Sequence, residues 1–512
     1  MGRCSMSRKD NAGQFFVSGK NCWRVAQAEQ LSFVVDGEDY FIHLRRVMAT
    51  AKSELLLVGW DFDFEIEMLP GESDAKGNAP DGLPNKLGAY LEAVVENAPE
   101  LQVYILKWNG AVVVAPGRIL PAMALDIFGS DRIHLALDSH HPLGACHHQK
   151  IVVADNSFAF CGGIDATESR WDTSAHRPDD PRRVKKNGAP AEPWHDVTCA
   201  VTGPAAEALA ELSRRRWKRA TGEEFDGGAT RKAASWPKGL AVDATNVDVA
   251  IARTEPPYNG SDLINEVEQL FLDSIATAKE TIYFESQYFT AESVFDALEK
   301  SLQQPSGPEI VVINPQAALS QMEDDAMHVL RGRFIDRLKA ADHANRFRIY
   351  HPVNSAEDPI YVHAKVNIID TRILHVGSSN IDDRSLGFDT ECDVAIEGAH
   401  DAISAFRTRL LSEHLDVEQA RFDEVFAQTQ SLICAIETLN SAKGRGLRDI
   451  HVLPERLRGT VLADARLMDQ RYHPEQDRPK GEGGKPRHIF AFAGLVALAH
   501  LGRILWRRWT GR

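Results

Sequence analysis

The sequence predicts an α/β protein built from two similar halves, and three observations carry that prediction. The chain repeats itself: ATAK at 49–52, within VMATAKSELLLVGWDFDFE, returns as ATAK at 276–279, within SIATAKETIYFESQYFT. Each copy is a helical pattern followed by a short apolar run. Strand-like and helix-like stretches then alternate twice along the chain, which calls for a sheet covered by helices in each half. His-x-Lys-x4-Asp also occurs twice, as His148, Lys150 and Asp155 and again as His363, Lys365 and Asp370. The 512 residues are 43% hydrophobic and 26% charged, which excludes collagen-like, low-complexity and wholly disordered chains.

Taken in order, the amino-terminal MGRCSMSRKDNAGQFF has no apolar stretch, so no secretory signal peptide is expected. Gly2 does not meet the myristoylation pattern, because Met6 stands where Ser or Thr is required. Leu55–Val58 reads as a buried strand, followed by a helix over 86–97 and strands VYILKW (103–108), RIHLAL (132–137), KIVVAD (150–155) and CAV (199–201). Residues 175–193 read as a long surface loop, 204–220 as a helix and 221–240 as a linker rich in glycine and charge. The second half offers Ile282–Phe284, EIVVIN (309–314), a helix over 321–340, RFRIYH (346–351), KVNIID (365–370) and DVAI (393–396). The expected division is therefore 1–225, 226–440 and a polar extension with a tail over 441–512.

The tail differs from the body. Residues 489–506, IFAFAGLVALAHLGRILW, are apolar but contain His500 and Arg503, and Arg507, Arg508 and Trp509 follow. A spanning helix needs about 20 apolar residues. The basic stripe suits a helix lying on an anionic bilayer surface, while packing on the body is the alternative. The whole chain carries a net charge of −15, a poor match to nucleic acid, so no nucleic-acid partner is expected. The seven cysteines stand singly, without a CxxC pair, which points to a reducing, cytoplasmic setting.

The duplicated motif carries the chemistry. Residues i and i+2 of a strand share a face, so His148 projects with Lys150, and His363 with Lys365. Asp155 and Asp370 complete the expected catalytic set, although they fall at the far ends of their strands, where each can support local structure or pair with a cation. Seventeen residues after each His stands a polar turn residue, Asp165 in GGID and Asn380 in GSSN. DVTCAVTG (196–203) aligns with ECDVAIEG (391–398), which sets Asp196 opposite Glu391.

If the halves pack about a pseudo-twofold axis, both sets converge on one cleft. Two ammonium groups there, with the turn amides of Gly162 and Gly163 and of Gly377–Ser379, would hold a phosphoryl group; Ser378 and Asn380 belong to the same expected substrate site. One imidazole can attack phosphorus while the other protonates the leaving alkoxide, and Asp196 and Glu391 can each fix a tautomer. This scheme needs no metal and no cofactor. An ionised Asp165 would repel phosphate, so its expected role is structural or directed at a head group.

HHQKIVVAD, GGIDATESRWD, PWHD (193–196), FESQYF (284–289), HAKVNIID and GSSNIDDRSLGFDTE together resemble the phospholipase D superfamily. The resemblance covers roughly residues 20 to 440 and is greatest to the bacterial branch that looks like eukaryotic phosphatidylcholine-hydrolysing enzymes. It implies two pseudo-twofold-related α/β/α sandwich halves with one active site between them. It further implies His148 as nucleophile, forming a phosphohistidine, and His363 as general acid; sequence symmetry alone leaves those roles open. The implied partners are a phospholipid substrate and a membrane surface. The implied reaction is hydrolysis to phosphatidic acid and a head-group alcohol, with phosphatidyl transfer or cardiolipin synthesis as the alternative and nuclease activity less favoured.

Other clusters have plainer readings. His140, His141, His147 and His148 read as a loop before the catalytic strand rather than a metal site. Trp60, Trp108, Trp171 and Trp194 read as core and cleft walls, with a cage for a quaternary ammonium as the alternative. Arg182, Arg183, Lys185 and Lys186 read as a solvated loop that could touch lipid phosphates.

Overall fold

The structure, a computed structural model, describes residues 15–110, 129–224, 236–317 and 321–451. The tail at 489–509 and most of 441–512 lie outside the described residues. The first half supplies strands β1 (Arg24–Val35), β2 (Glu54–Gly59), β3 (Gln102–Trp108), β4 (Ile133–Asp138), β5 (Ile151–Ala154), β6 (Phe158–Gly162), β7 (Trp194–His195) and β8 (Val197–Thr202). The second supplies β9 (Ala244–Glu255), β10 (Ile264–Asn265), β11 (Thr281–Glu285), β12 (Glu309–Ile313), β13 (Phe347–Val353), β14 (Tyr361–Val362), β15 (Val366–Ile369), β16 (Ile373–Gly377), β17 (Glu391–Glu397) and β18 (Gly446–Asp449).

One sheet runs through the molecule in the order β18-β13-β12-β11-β15-β16-β17-β9-β1-β8-β6-β5-β2-β3-β4. Outward from its centre the two sides match strand for strand: β1-β8-β6-β5-β2-β3-β4 on one side and β9-β17-β16-β15-β11-β12-β13 on the other. The three outer strands of each set are parallel, β2-β3-β4 and β11-β12-β13, and the inner strands are antiparallel. The repeated ATAK segment and the repeated HxKxxxxD segment are thus equivalent parts of two equivalent half-sheets.

Alternation along each strand builds the layers. Leu55 and Leu57 of β2 face helices Gly37–Thr50 and Leu87–Asn97, while Leu56 and Val58 face a core shared with helix Pro204–Thr221. That shared core continues into the second half through Phe406, Leu410 and Leu411 of helix His400–Leu415. Helices Glu266–Thr277 and Glu292–Leu302 cover the opposite face of the second half-sheet. The architecture is α/β/α, with the halves joined along β1 and β9 and through a common apolar layer.

Two differences from the sequence reading stand out. The segment 441–451, assigned to an extension, contributes β18, which pairs antiparallel with β13 at the sheet edge. The central strands β1 and β9, twelve residues each, have no counterpart among the expected strands. Among the described residues no helix is long and apolar enough to cross a membrane.

Candidate active site

The backbone itself exchanges partners between the halves just before each catalytic strand. His148 N–H donates to the Thr390 carbonyl at 2.8 Å, and His363 N–H donates to the His195 carbonyl at 2.8 Å. Thr390 precedes Glu391, and His195 precedes Asp196. Each imidazole therefore meets the carboxylate of the opposite half. His148 Nδ1 lies 3.0 Å from Glu391 Oε1, and His363 Nδ1 lies 2.7 Å from Asp196 Oδ2. The two rings face one another edge to face, with centroids 6.5 Å apart. That spacing leaves room for one phosphoryl group between the rings.

The tautomer of His148 follows from its neighbours. The Ser378 carbonyl, 2.9 Å from Nδ1, can only accept, so Nδ1 carries the hydrogen and Nε2 presents a lone pair. Burial, then the ammoniums of Lys150 and Lys365, hold His148 well below the usual histidine range. His363 is held down by burial, then by Lys365 and Arg170. Burial pushes Glu391 well up and Asp196 up, against the pull of Lys150 on the first and of Lys365 on the second. All four shifts favour uncharged forms, so the site holds two neutral imidazoles before an anion enters.

The lysines are not held alike. Lys150 Nζ pairs with Asp165 Oδ2 at 3.2 Å and donates to the His148 carbonyl at 2.8 Å. Asp165 also accepts from the Trp60 amide. Asp165 thus offsets a lysine charge, the structural role its ionised form suggested. In the second half Asn380 occupies the equivalent position, buried, with its Oδ1 lacking a hydrogen-bond partner. Lys365 donates to the His363 carbonyl and reaches Gln287 Oε1 at 3.5 Å. Burial lowers its ammonium to about 7 against the pull of Asp196.

Three sequence expectations need correction. Asp155 and Asp370, grouped with the catalytic residues, do not join the cleft. Each sits in a left-handed turn (φ 50° and 55°) at the far end of its strand. Asp155 accepts from the amides of Lys52, Ser53 and Glu54, and Asp370 from those of Lys279, Glu280 and Thr281. Each carboxylate ties off the chain after its own ATAK segment, which explains why the two repeats occur together.

The turn amides are also committed elsewhere. Gly162 and Gly163 N–H donate to the Lys150 and Val197 carbonyls, so they form no phosphate cradle. A Cβ on Gly163 would collide with Asp196 Oδ1, so glycine here admits the carboxylate that orients His363. The amides of Ser378 and Ser379 donate to Asp393 Oδ1, and the Ser378 hydroxyl donates to Glu391, so Ser378 supports the carboxylate instead of meeting substrate. Asn380 keeps an uncommitted oxygen and stays a candidate contact.

The tryptophans form no single cage. Trp60 stacks on Trp108 at 5.8 Å, Trp171 lies under Arg182, and buried Trp194 packs between Tyr361 and His363. The basic run is largely engaged in pairs: Arg182 with Asp180, Arg183 with Asp172 and Lys186 with Asp63. His147 bonds Thr390 and Asp138, and His141 reaches Asn109, so the four histidines do not converge. Sequence reasoning assigned no role to Arg170, whose guanidinium lies over Trp194 at 4.1 Å and repels a charge on His363, or to Gln287 beside Lys365. Both fall in quoted segments, RWD and ESQYF, and flanking position was the available signal.

Residues 138–306 match the family described as "Phospholipase D", and residues 271–412 match the one described as "Cardiolipin synthase, PLD-like domain". Each match contains one HxKxxxxD copy. Phospholipase D alpha 2 of Arabidopsis thaliana is 23% identical, over 56% of this chain and 50% of the relative. Phospholipase D A of Dictyostelium discoideum is 22% identical, over 77% of this chain and 36% of the relative. The chain spans between 17% and 65% of the length of the curated relatives it matches. The crystal structure of a phosphatidylserine synthase from Haemophilus influenzae Rd KW20 superposes with a TM-score of 0.51 at 11% identity, covering 77% of this chain and 88% of that one. This likeness is one of fold. The chain belongs to the phospholipase D superfamily.

Proposed function

We propose that this chain is a phospholipase D-type phosphodiesterase that hydrolyses glycerophospholipids to phosphatidic acid and a head-group alcohol. The observation that carries this reading is the facing pair of imidazoles, 6.5 Å apart, each backed by a buried carboxylate from the opposite half. His148 Nε2 attacks phosphorus and the P–O bond to the head group breaks. His363 gives its proton to the departing alkoxide, leaving a phosphohistidine. Water then gives a proton to His363 as it attacks phosphorus, and His148 is released.

The resting imidazoles are neutral, so the general acid must be charged on binding. Burial, then the Lys365 and Arg170 charges, keep His363 unprotonated; a phosphodiester anion between Lys150 and Lys365 offsets the charge repulsion, which couples substrate entry to arming of the acid. The lysines then stabilise charge on the equatorial oxygens. The apolar tail at 489–509 would bring the site to a membrane surface, and a chain ending at Arg487 should lose membrane fractionation.

The test supplies labelled phosphatidylcholine, phosphatidylethanolamine, phosphatidylglycerol and single-stranded DNA side by side. The proposal expects phosphatidic acid from at least one lipid. Transfer to an added alcohol with no hydrolysis would move the reading to a phosphatidyltransferase, and turnover of DNA alone would overturn it.

A further inference from the structure

Beside the candidate active site lies a second cluster that the reaction does not use. Asp36, His176, His195 and Glu413 bring four potential ligand atoms within 4.8 Å of one another. His195 Nδ1 is 3.1 Å from Asp36 Oδ1 and 3.1 Å from Glu413 Oε1. His176 Nε2 is 3.3 Å from Glu413 Oε1 and 3.5 Å from Asp36 Oδ2. Ligands about 2.0–2.1 Å from a tetrahedral metal stand about 3.3 Å from each other, and these four contacts bracket that value.

The hydrogen bonding also points to an ion. His195 Nδ1 and Asp36 Oδ2 are fully buried and have no hydrogen-bond partner, although carboxylate oxygens flank the nitrogen. A nitrogen set between two carboxylate oxygens holds there either a proton or a metal ion, and one metal ion would meet all four ligand atoms at once. The distal nitrogens are held as metal-bound histidines are: His176 Nδ1 by Asp172 at 2.9 Å and His195 Nε2 by Glu285 at 2.9 Å. Arg183 and His414 anchor those two outer carboxylates in turn.

The backbone at Asp36 is strained. Its φ of 64° and ψ of 163° fall in a region that side-chain-bearing residues rarely adopt. That conformation keeps its carboxylate in the cluster and its amide on the Asp196 carbonyl at 2.8 Å. A cavity of about 730 Å³ has Asp36 in its wall, beside Thr173 and Asp179.

We propose that Asp36, His176, His195 and Glu413 bind one divalent transition-metal ion of the zinc class. Three ligands come from the first half and Glu413 from the second, so the ion staples the halves together. It also fixes the β7 strand, one residue before Asp196, and through Asp196 it positions His363.

The test uses the full chain prepared without chelator. About one equivalent of zinc per chain is expected. Protein grown with cobalt should show the visible d–d bands of tetrahedral Co(II). Asp36→Asn, His176→Gln and Glu413→Gln should each lose the ion, while Asp155→Asn retains it. If those variants fail to fold, Co(II) titrated into chelator-stripped wild type still decides the matter. Less than a tenth of an equivalent with no Co(II) band overturns the proposal. So does occupancy by calcium or magnesium alone, or metal retained in all three variants.

Discussion

The two halves share strand order, the ATAK anchor and the strand bearing each His–Lys pair, yet they treat their lysines differently. In the first half Asp165 pairs with Lys150, and the pair lies inside the protein. In the second half Asn380 stands in that position, and burial brings the Lys365 ammonium to about 7. Duplication accounts for the geometry, and the Asp/Asn difference leaves Lys365 without a counterpart of the Lys150–Asp165 pair. One lysine is paired with a buried carboxylate of its own half. The other is poised to take its full charge from the substrate.

Removing either imidazole breaks the comparison at its root. His148→Ala should lower kcat by about 10⁴-fold or more and His363→Ala by about 10²–10⁴-fold, read on the lipid that turns over best. Near-normal turnover by either variant would contradict a shared site.

The lysines should then separate in thermal melts. Lys150→Met strands the buried Asp165 carboxylate and should cost about 3 kcal/mol. Lys365→Met should raise Tm at pH 6 while abolishing activity. The sign follows from its lowered pKa. Below about pH 7 both folded and unfolded chains carry the Lys365 proton, so the burial penalty is fully present. Between about 7 and the ordinary lysine value the unfolded chain binds more protons, and wild-type stability rises with pH. The variant should lack that rise, measurable as Tm against pH.

Making the second half resemble the first is a subtler change. As pH climbs through about 7 Lys365 loses charge, so KM should increase. Asn380→Asp should shift that limb upward by about one pH unit and lower kcat/KM by about tenfold through repulsion of phosphate. The smallest catalytic effect belongs to the motif aspartates. Asp155→Asn and Asp370→Asn should each lose about 1–3 kcal/mol of stability while activity per folded molecule stays within about twofold.

Much of this was legible in the sequence because duplication fixes equivalences without coordinates. The offset between His148 and His363 recurs at Lys150/Lys365 and at Asp165/Asn380, and the alignment of Asp196 with Glu391 selected both supporting carboxylates. Which imidazole each carboxylate serves was not legible. It depends on the Thr390 and His195 carbonyls crossing between halves, a long-range pairing that local pattern does not encode.

The aspartates of the motif were placed among catalytic residues because spacing shows proximity along a strand but not direction. The strands β1 and β9 were passed over because their first turns of chain are half-exposed and polar, as in RVAQAEQ and ATNVD, and only their later residues alternate into the core. Glycine-rich turns suggested an anion cradle, yet close approach of Asp196 is what requires glycine at 163.

The crossed pairing is tested most directly by the leaving group. Asp196→Asn and Glu391→Gln should be compared on phosphatidylcholine and on a phosphatidyl ester of p-nitrophenol, whose departure needs little protonation. The account predicts that Asp196→Asn, acting through His363, recovers most of its lost rate on the activated ester, whereas Glu391→Gln, acting through His148, does not. Recovery by Glu391→Gln instead, with Asp196→Asn slow on both substrates, would contradict it.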